Sequence, residues 1–411
     1  MYRILTQCRA CGGSLKQVIA LGHTPLANAL APTRSEAMSL PRYPLNLCVC
    51  ERCEFVQLDV AIDSKVLFEH YLYVTPSAKS LDAHYDALLR TVDSMVDVMP
   101  SLRELPATRV VEMGSNNGAF LRAISHHVES VVGIEPAKNI ADMANATGIE
   151  TIPEFFTEQS VDYLKRRVGR CDLFVARHCM AHLDDLPGTL RAIARMLDDN
   201  GIAVIENAYL RRTLHGAQFD QIYHEHMSYF ALRSFKRLAE ACGLSVHHAE
   251  VASVHGGSIV MIASKKGAPT TSTFDEIWNE EEFLQDELES FAFETRSVIG
   301  GLREAMLHLM QTRGSRIYTY GATAKGNTLL NSLGFTHRNI PYAVDSTSIK
   351  QGRFLPGSGI EVVSEEWAAG RPPDAYLLTA WNWADEILAK QSAYRSNGGR
   401  FIIPLPMPRL Q

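Results

Sequence analysis

The stretch Val110-Val111-Glu112-Met113-Gly114-Ser115-Asn116-Asn117-Gly118 is a β-branched apolar run that ends in a glycine-bounded loop, and an amphipathic stretch opens directly behind it. A strand, a glycine loop and a helix in that order let backbone approach a ligand closely. A second apolar run ends at Gly133-Ile134-Glu135, with Glu135 falling 21 residues after Gly114. A carboxylate at that strand end accepts hydrogen bonds from both hydroxyls of a ribose.

The loop departs from GxGxxG, the pattern that cradles a pyrophosphate. An adenosine ligand without phosphates fits it better, namely S-adenosylmethionine. Gly114, Asn116, Gly118 and Glu135 then form its seat, Glu112 is oriented toward the loop, and Phe155 and Phe156 flank the adenine.

Outward from this stretch, CDLFVARH and GIAVIENA repeat the alternation of apolar run and helical pattern, the latter seen in LPGTLRAIARMLDD. Such alternation predicts an α/β fold with a parallel sheet covered by helices on both faces. SVHHAEVASVHGGSIVMIAS reads as two strands joined by a glycine turn, an antiparallel edge to that sheet. Residues 274–312 keep apolar positions at helical spacing among many charges and predict a long helical connection interrupted at Gly300-Gly301. A second alternating unit follows in SRIYTYGATAKGNTLLNSLGF, NIPYAVDST, DAYLLTAW, one helix through ADEILAKQSAYRS, and RFIIPLP. The expected division is 1–70, 71–270 and 271–411, which suits 411 residues at roughly 150 per domain.

The first division is too small for a large core and needs a staple. Cys8-x-x-Cys11 and Cys50-x-x-Cys53 supply it: two CxxC knuckles offer the four thiolates of a tetrahedral zinc site. Four protein ligands leave no open position, so the expected zinc is structural. Cys48 neighbours the second knuckle, while Cys171, Cys179 and Cys242 sit in apolar settings and read as core.

Two further stretches fall just beyond strand ends, where α/β sheets collect ligands. These are Arg177-His178-Cys179-Met180-Ala181-His182 and Gln221-Ile222-Tyr223-His224-Glu225-His226. In an extended segment His224 and His226 share one face and Tyr223 and Glu225 the other, so either pair can line a pocket. No HExxH spacing points to a metal, and the density of imidazoles favours acid/base chemistry near neutral pH.

A net charge of −6, from 40 basic and 46 acidic residues with no basic block, argues against a nucleic-acid partner. No apolar run approaches the ~18 residues of a membrane helix, and the first residues lack a signal-peptide core. We therefore expect a cytoplasmic protein without a membrane partner.

In the last unit Gly321-Ala322-Thr323-Ala324-Lys325-Gly326-Asn327 lies between strand and helix, where backbone N–H groups turn toward an anion. Lys325 adds charge and Asp345 ends the next strand, yet the loop is not GxGxxG and NAD is not expected. Arg353, in KQGRFLP, is a candidate for a ligand's phosphates, with Trp381 or Trp383 at its base.

These residues in this order resemble the sugar C-methyltransferases of deoxysugar biosynthesis, which methylate C3 of nucleotide-linked 4-keto sugars of the mycarose and tetronitrose type. The resemblance spans nearly the whole chain. It rests on the paired knuckles, EMGSNNG, GIEP, IYHEHMSYF, VHGGS, YGATAKGNTLLN, KQGRFLPG, AWNWADEI and GGRFIIPLP. It implies an N-terminal zinc-binding domain, a central Rossmann-like class I methyltransferase domain and a C-terminal Rossmann-like domain that helps to hold the nucleotide sugar. It also implies removal of a proton beside a ketone, with attack of the enolate on the sulfonium methyl. By motif, His226 is then the general base, and Tyr223, Glu225 and His182 line the site; from the reading of the last unit, Lys325, Asn327, Arg353 and Trp383 are the expected substrate contacts. The chain departs from the family at Arg177-His178, where an Asn pair is usual, and at Tyr73–Ser77, where a tyrosine is missing near Ser77. Methylation of oxygen or nitrogen on a non-sugar natural-product intermediate is the alternative, and nucleotide binding without turnover is a third reading.

Overall fold

The structure is a computed structural model that describes residues 2–63, 66, 67, 75 and 79–411. Apart from Thr75, the departing segment Tyr73–Ser77 lies outside the described residues.

The strand signals around Glu112 and Glu135 resolve into a seven-stranded sheet. Its order is Ser245–Ala252, Ser258–Ser264, Leu197–Ala208, Cys171–Arg177, Arg109–Met113, Ser130–Ile134, Thr151–Ile152. Ser258–Ser264 runs antiparallel to both neighbours and the remaining pairings are parallel. Six of the seven residues of Cys171–Arg177 are buried, as a strand covered on both faces requires. The chain leaves Arg109–Met113 in one direction across the sheet and Cys171–Arg177 in the other, which opens a crevice beyond Met113 and Arg177.

The C-terminal unit repeats the plan in the order Glu361–Val363, Tyr342–Val344, Ile317–Tyr320, Ala375–Leu378, Arg400–Ile403, with Arg409–Leu410 antiparallel at the edge. The expected helix over ADEILAKQSAYRS is two short ones, Ala384–Lys390 and Ser392–Ser396, broken at Gln391.

At the N-terminus Leu15–Thr24, Tyr43–Cys50 and Val56–Leu58 form an antiparallel sheet whose fourth strand, Ser228–Tyr229, comes from the central unit. Leu45, Leu47, Phe219, Phe291 and Leu330 belong to one apolar cluster, so the first and last units share a core around residues 219–222.

The long connection differs from expectation. Leu284–Thr312 is a continuous helix that passes through Gly300-Gly301, both exposed and uncrowded. Two glycines cost about 1 kcal/mol each in a helix, and burial of Leu288, Phe291, Leu302 and Met306 on its inner face offsets that. The interruption comes instead at Glu281–Phe283. Here Glu281, only 2% exposed, turns its carboxylate to accept Leu232 N and Arg233 N, each at 2.7 Å. It thereby caps the helix Leu232–Ala241, whose own N-cap, Ala231, has no side chain to do so. Glu281→Ala should cost roughly 1–3 kcal/mol and lower the thermal midpoint by several degrees. Glu281→Gln, which keeps one acceptor, should cost less in the same melts.

Candidate active site

The N-terminal knuckles close on each other. Cys8 and Cys53 sulfurs are 3.7 Å apart, Cys11 and Cys50 3.5 Å, and all four lie within 4.8 Å of one another. A tetrahedral zinc with ~2.3 Å bonds to sulfur sets its ligands about 3.8 Å apart, so the four thiols fit that ion. Gly13 is required here, because a Cβ on it would stand 2.9 Å from Cys50 Sγ. Cys48 is buried but outside the cluster. No further group of metal-ligating side chains is found among the described residues.

A cavity of about 500 Å³ opens at the crevice of the central sheet and reaches all three units, from Asn28 through Gly114 and His226 to Lys325 and Trp383. On the central side Gly114 has φ +67, and a Cβ there would meet Cys179 at 2.7 Å. Cys179 is thus a wall of this cavity and not core as the sequence suggests, its thiol donating to Met113 O at 3.2 Å. Glu135 is almost wholly buried; its Oε2 accepts Asn116 N at 3.1 Å and its Oε1 accepts Ala137 N at 2.9 Å, which fixes the loop to the second strand. Asn116 and Asn117 in turn bind Thr75 through its N and O. Phe155 and Phe156 both line the cavity, Phe155 exposed and Phe156 packed on Phe174.

Glu112 and Gly118 do not line it. Glu112 lies beneath, binding Arg177 at 2.9 and 3.0 Å, and that guanidinium sits between the rings of Tyr85 and Phe120. Gly118, at φ +72, opens the helix Ala119–Ile124 against Ile149.

The segment carrying Tyr223 to His226 is a turn, not an extended strand: His226 N donates to Tyr223 O at 2.8 Å. Tyr223, Glu225 and His226 therefore all reach the cavity, and His224 points away to Pro44 O and the Tyr43 ring. His226 Nδ1 faces Gln221 O at 3.1 Å. A carbonyl only accepts, so Nδ1 carries the proton and the Nε2 lone pair meets the Tyr223 hydroxyl at 2.5 Å. A proton reaches Nε2 through that hydroxyl or after the bond opens. Burial, with help from His182 and the charge of Lys325, holds His226 well below the usual imidazole range. His182, edge-on to His226 with ring centroids 5.2 Å apart, is pushed down to about 4 by burial. Burial also lifts Glu225 to about 7, opposed in part by Asn28, whose amide donates to Oε2 at 2.6 Å.

His178 has left-handed backbone, φ +53, at the end of its strand. Its Nε2 is 3.4 Å from Glu206 and its ring 4.3 Å from that of His255. Although burial pushes Glu206 up, His178 and His84 hold it well below the usual carboxylate range. In the C-terminal unit Lys325 and Trp383 line the cavity, whereas Asn327 is buried inside its helix and Arg353 is exposed, its Nε on Ile349 O. Asp345 holds Ala322 N and Thr347 N, and Lys350 covers it. No spacing signal points to Asn28 or Asp220; His255 sits within the VHGGS motif.

A glycine loop closed by Glu135 at the crevice of this seven-stranded order, beside buried imidazoles, is the arrangement of an S-adenosylmethionine-dependent methyltransferase. Three family models match in register: "Putative zinc binding domain" over 8–68, "Methyltransferase domain" over 83–249 and "C-methyltransferase C-terminal domain" over 253–406. The curated protein "C-methyltransferase NovU" of Streptomyces niveus is 38% identical over 421 residues, spanning 100% of this chain and 98% of its own. The chain belongs to this C-methyltransferase family. Among solved structures, magnesium protoporphyrin IX methyltransferase of Synechocystis with bound SAH is 11% identical, at a TM-score of 0.36 over 47% of this chain and 91% of that one. N-methyltransferase NodS of Bradyrhizobium japonicum is 13% identical, at 0.34 over 47% and 97%.

Stripping the metal with a chelator, or Cys50→Ser, should release one zinc per chain, measured by mass spectrometry, and unfold the first unit by circular dichroism, because such sites carry their unit's folding free energy. For Glu225, a folded value of about 7 lies above the unfolded carboxylate value. The folded state thus keeps a proton that the unfolded chain releases, and stability is lost as pH rises through that window. Glu225→Gln should accordingly melt higher than the parent at pH 8, by roughly 1–3 kcal/mol, with the gap closing by pH 4.

Proposed function

We propose that this chain methylates a carbon beside the ketone of a nucleotide-linked sugar, and that His226 removes the proton from that carbon. The observation that carries the reading is the Tyr223–His226 pair, 2.5 Å apart, in a cavity that also holds the glycine loop. When bound, S-adenosylmethionine supplies an electrophilic methyl on a positively charged sulfur. Gly114, Asn116 and Glu135 hold its adenosine end, with Phe155 and Phe156 at the base.

A neutral imidazole is the form that accepts a proton, and burial keeps His226 neutral at working pH. The Nδ1–H bond to Gln221 O keeps the lone pair on Nε2, and Tyr223 and Glu225 line the cavity around it. His182 packs against the base from the central unit, and His178 forms the wall toward the last unit. We read 1–70, 71–270 and 271–411 as a stapled support, a donor-binding unit and a unit that closes on the nucleotide sugar. Trp383 faces the acceptor. The relative named above as a C-methyltransferase supports carbon as the methylated atom.

The test is solvent deuterium. With a nucleotide-linked 4-keto sugar, the enzyme should wash deuterium into the carbon beside the ketone without methyl donor. His226→Gln should slow this by about 10²–10⁴-fold while calorimetric binding of S-adenosylhomocysteine persists. Methylation of oxygen or nitrogen without wash-in overturns the reading.

A further inference from the structure

We propose that Lys325 stabilises the ketone oxygen as it becomes negative, and that Asp220 is the positioning residue that keeps Lys325 charged and aimed into the cavity. This rests on the reading above and deepens it.

Lys325 enters the cavity from the first turn of the helix Ala324–Leu333, with Nζ donating to His255 O at 3.1 Å. The ammonium lies over the ring of Trp381, 5.1 Å from its centroid. The same indole donates its Nε1–H to Asp220 Oδ2 at 2.6 Å. Asp220 is wholly buried and its Oδ1 has no hydrogen-bond partner among the described residues. A cation over an aromatic face is held by the ring's negative face, and a carboxylate on the ring's N–H deepens that. Asp220 thus acts on Lys325 through Trp381 and through space. It also sits on the segment that carries His226, so the last unit delivers its ammonium to the segment bearing the base.

The chemistry asks for such a group. When the C–H bond breaks, its proton goes to His226 Nε2 and its electron pair forms the new C–C double bond, while the carbonyl π pair moves onto oxygen. An imidazolium then arises in a site that disfavours it, Lys325 included, so the step depends on stabilising the opposite charge, and a fixed cation beside the oxygen does that. A diphosphate is the competing ligand for Lys325, since Thr323, Ala324 and Lys350 line the same cavity, and it predicts an effect of Lys325→Met on KM alone. The titratable groups facing Lys325 are Asp220 and His226 on one loop and His255 on another, with His178 against the His255 ring. Burial lowers Lys325 and the charge of Asp220 opposes this.

The experiment measures kcat and KM against pH, with thymidine- and uridine-diphosphate-linked 4-keto-6-deoxy sugars as the probe panel. Lys325→Met should lower kcat about 100-fold with KM little changed. Asp220→Asn, which keeps the acceptor for Trp381, should move the alkaline limb of kcat down by about one pH unit or more. Lys325→Arg cannot lose its proton in this range; it should retain part of kcat, lose that limb, and make a further Asp220→Asn silent. A limb unmoved by Asp220→Asn, a limb that survives Lys325→Arg, or an effect of Lys325→Met confined to KM overturns the proposal. Parent enzyme that washes no deuterium into any probe overturns the acceptor reading instead, and the proposal with it.

Discussion

The segment 218–230 is held from three sides, and the rest of the molecule is arranged to hold it. Ser228 and Tyr229 complete the N-terminal sheet opposite Gln57 and Val56, Met227 N binds Ala181 O beside the central sheet, and Asp220 takes the indole of Trp381 from the last unit. A base works only when its lone pair is aimed, and an exposed loop would not aim it. Here the backbone of Gln221 sets the tautomer of His226, and its neighbours are locked into different units. The shared apolar core around Phe219 and Ile222 packs the first and last units against this segment, far from the cysteines.

Burial then decides the charges. His182, His226 and His255 are all driven toward the neutral form, and Glu225 is driven toward the acid. These shifts share one leading cause, the removal of water from the cavity wall, to which Lys325 adds at His226 and His255. The exceptions are Glu206, held low beside His84 and His178, and Arg177, held in its charged form against Glu112. The cavity thus brings together neutral groups and hydrogen-bonded pairs that hold its walls in place.

The two Rossmann-like units show how one backbone plan yields different sites. Glu135 and Asp345 make equivalent bonds, each carboxylate joining its glycine loop to the residue two positions on. In the central unit the loop faces the cavity. In the C-terminal unit Thr379 fills the loop, its hydroxyl on Tyr320 O and Gly321 O, and a Cβ on Gly326 would meet it at 2.6 Å. What remains open there is the helix end bearing Lys325.

Much of this was legible in the sequence, because strand alternation, glycine loops and CxxC spacing are local patterns with local causes. They determined the α/β class, the four-cysteine cluster and the glycine loop that Glu135 closes, and they singled out the neighbourhood of Tyr223 and His226. Tertiary structure alone decided the rest. Whether residues 222–226 run extended or turn depends on strand pairing with Gln57 and docking of Trp381, so only the fold reveals that His224 leaves and His226 stays. Glu112 and Arg353 look alike to a motif, yet one is buried under Arg177 and the other faces solvent, since the direction of a side chain is set by packing and not by spacing. Asn28 and Asp220 carry no pattern at all; the folded chain brings Asn28, across nearly two hundred residues, to Glu225 at the cavity wall and buries Asp220 against the indole of Trp381.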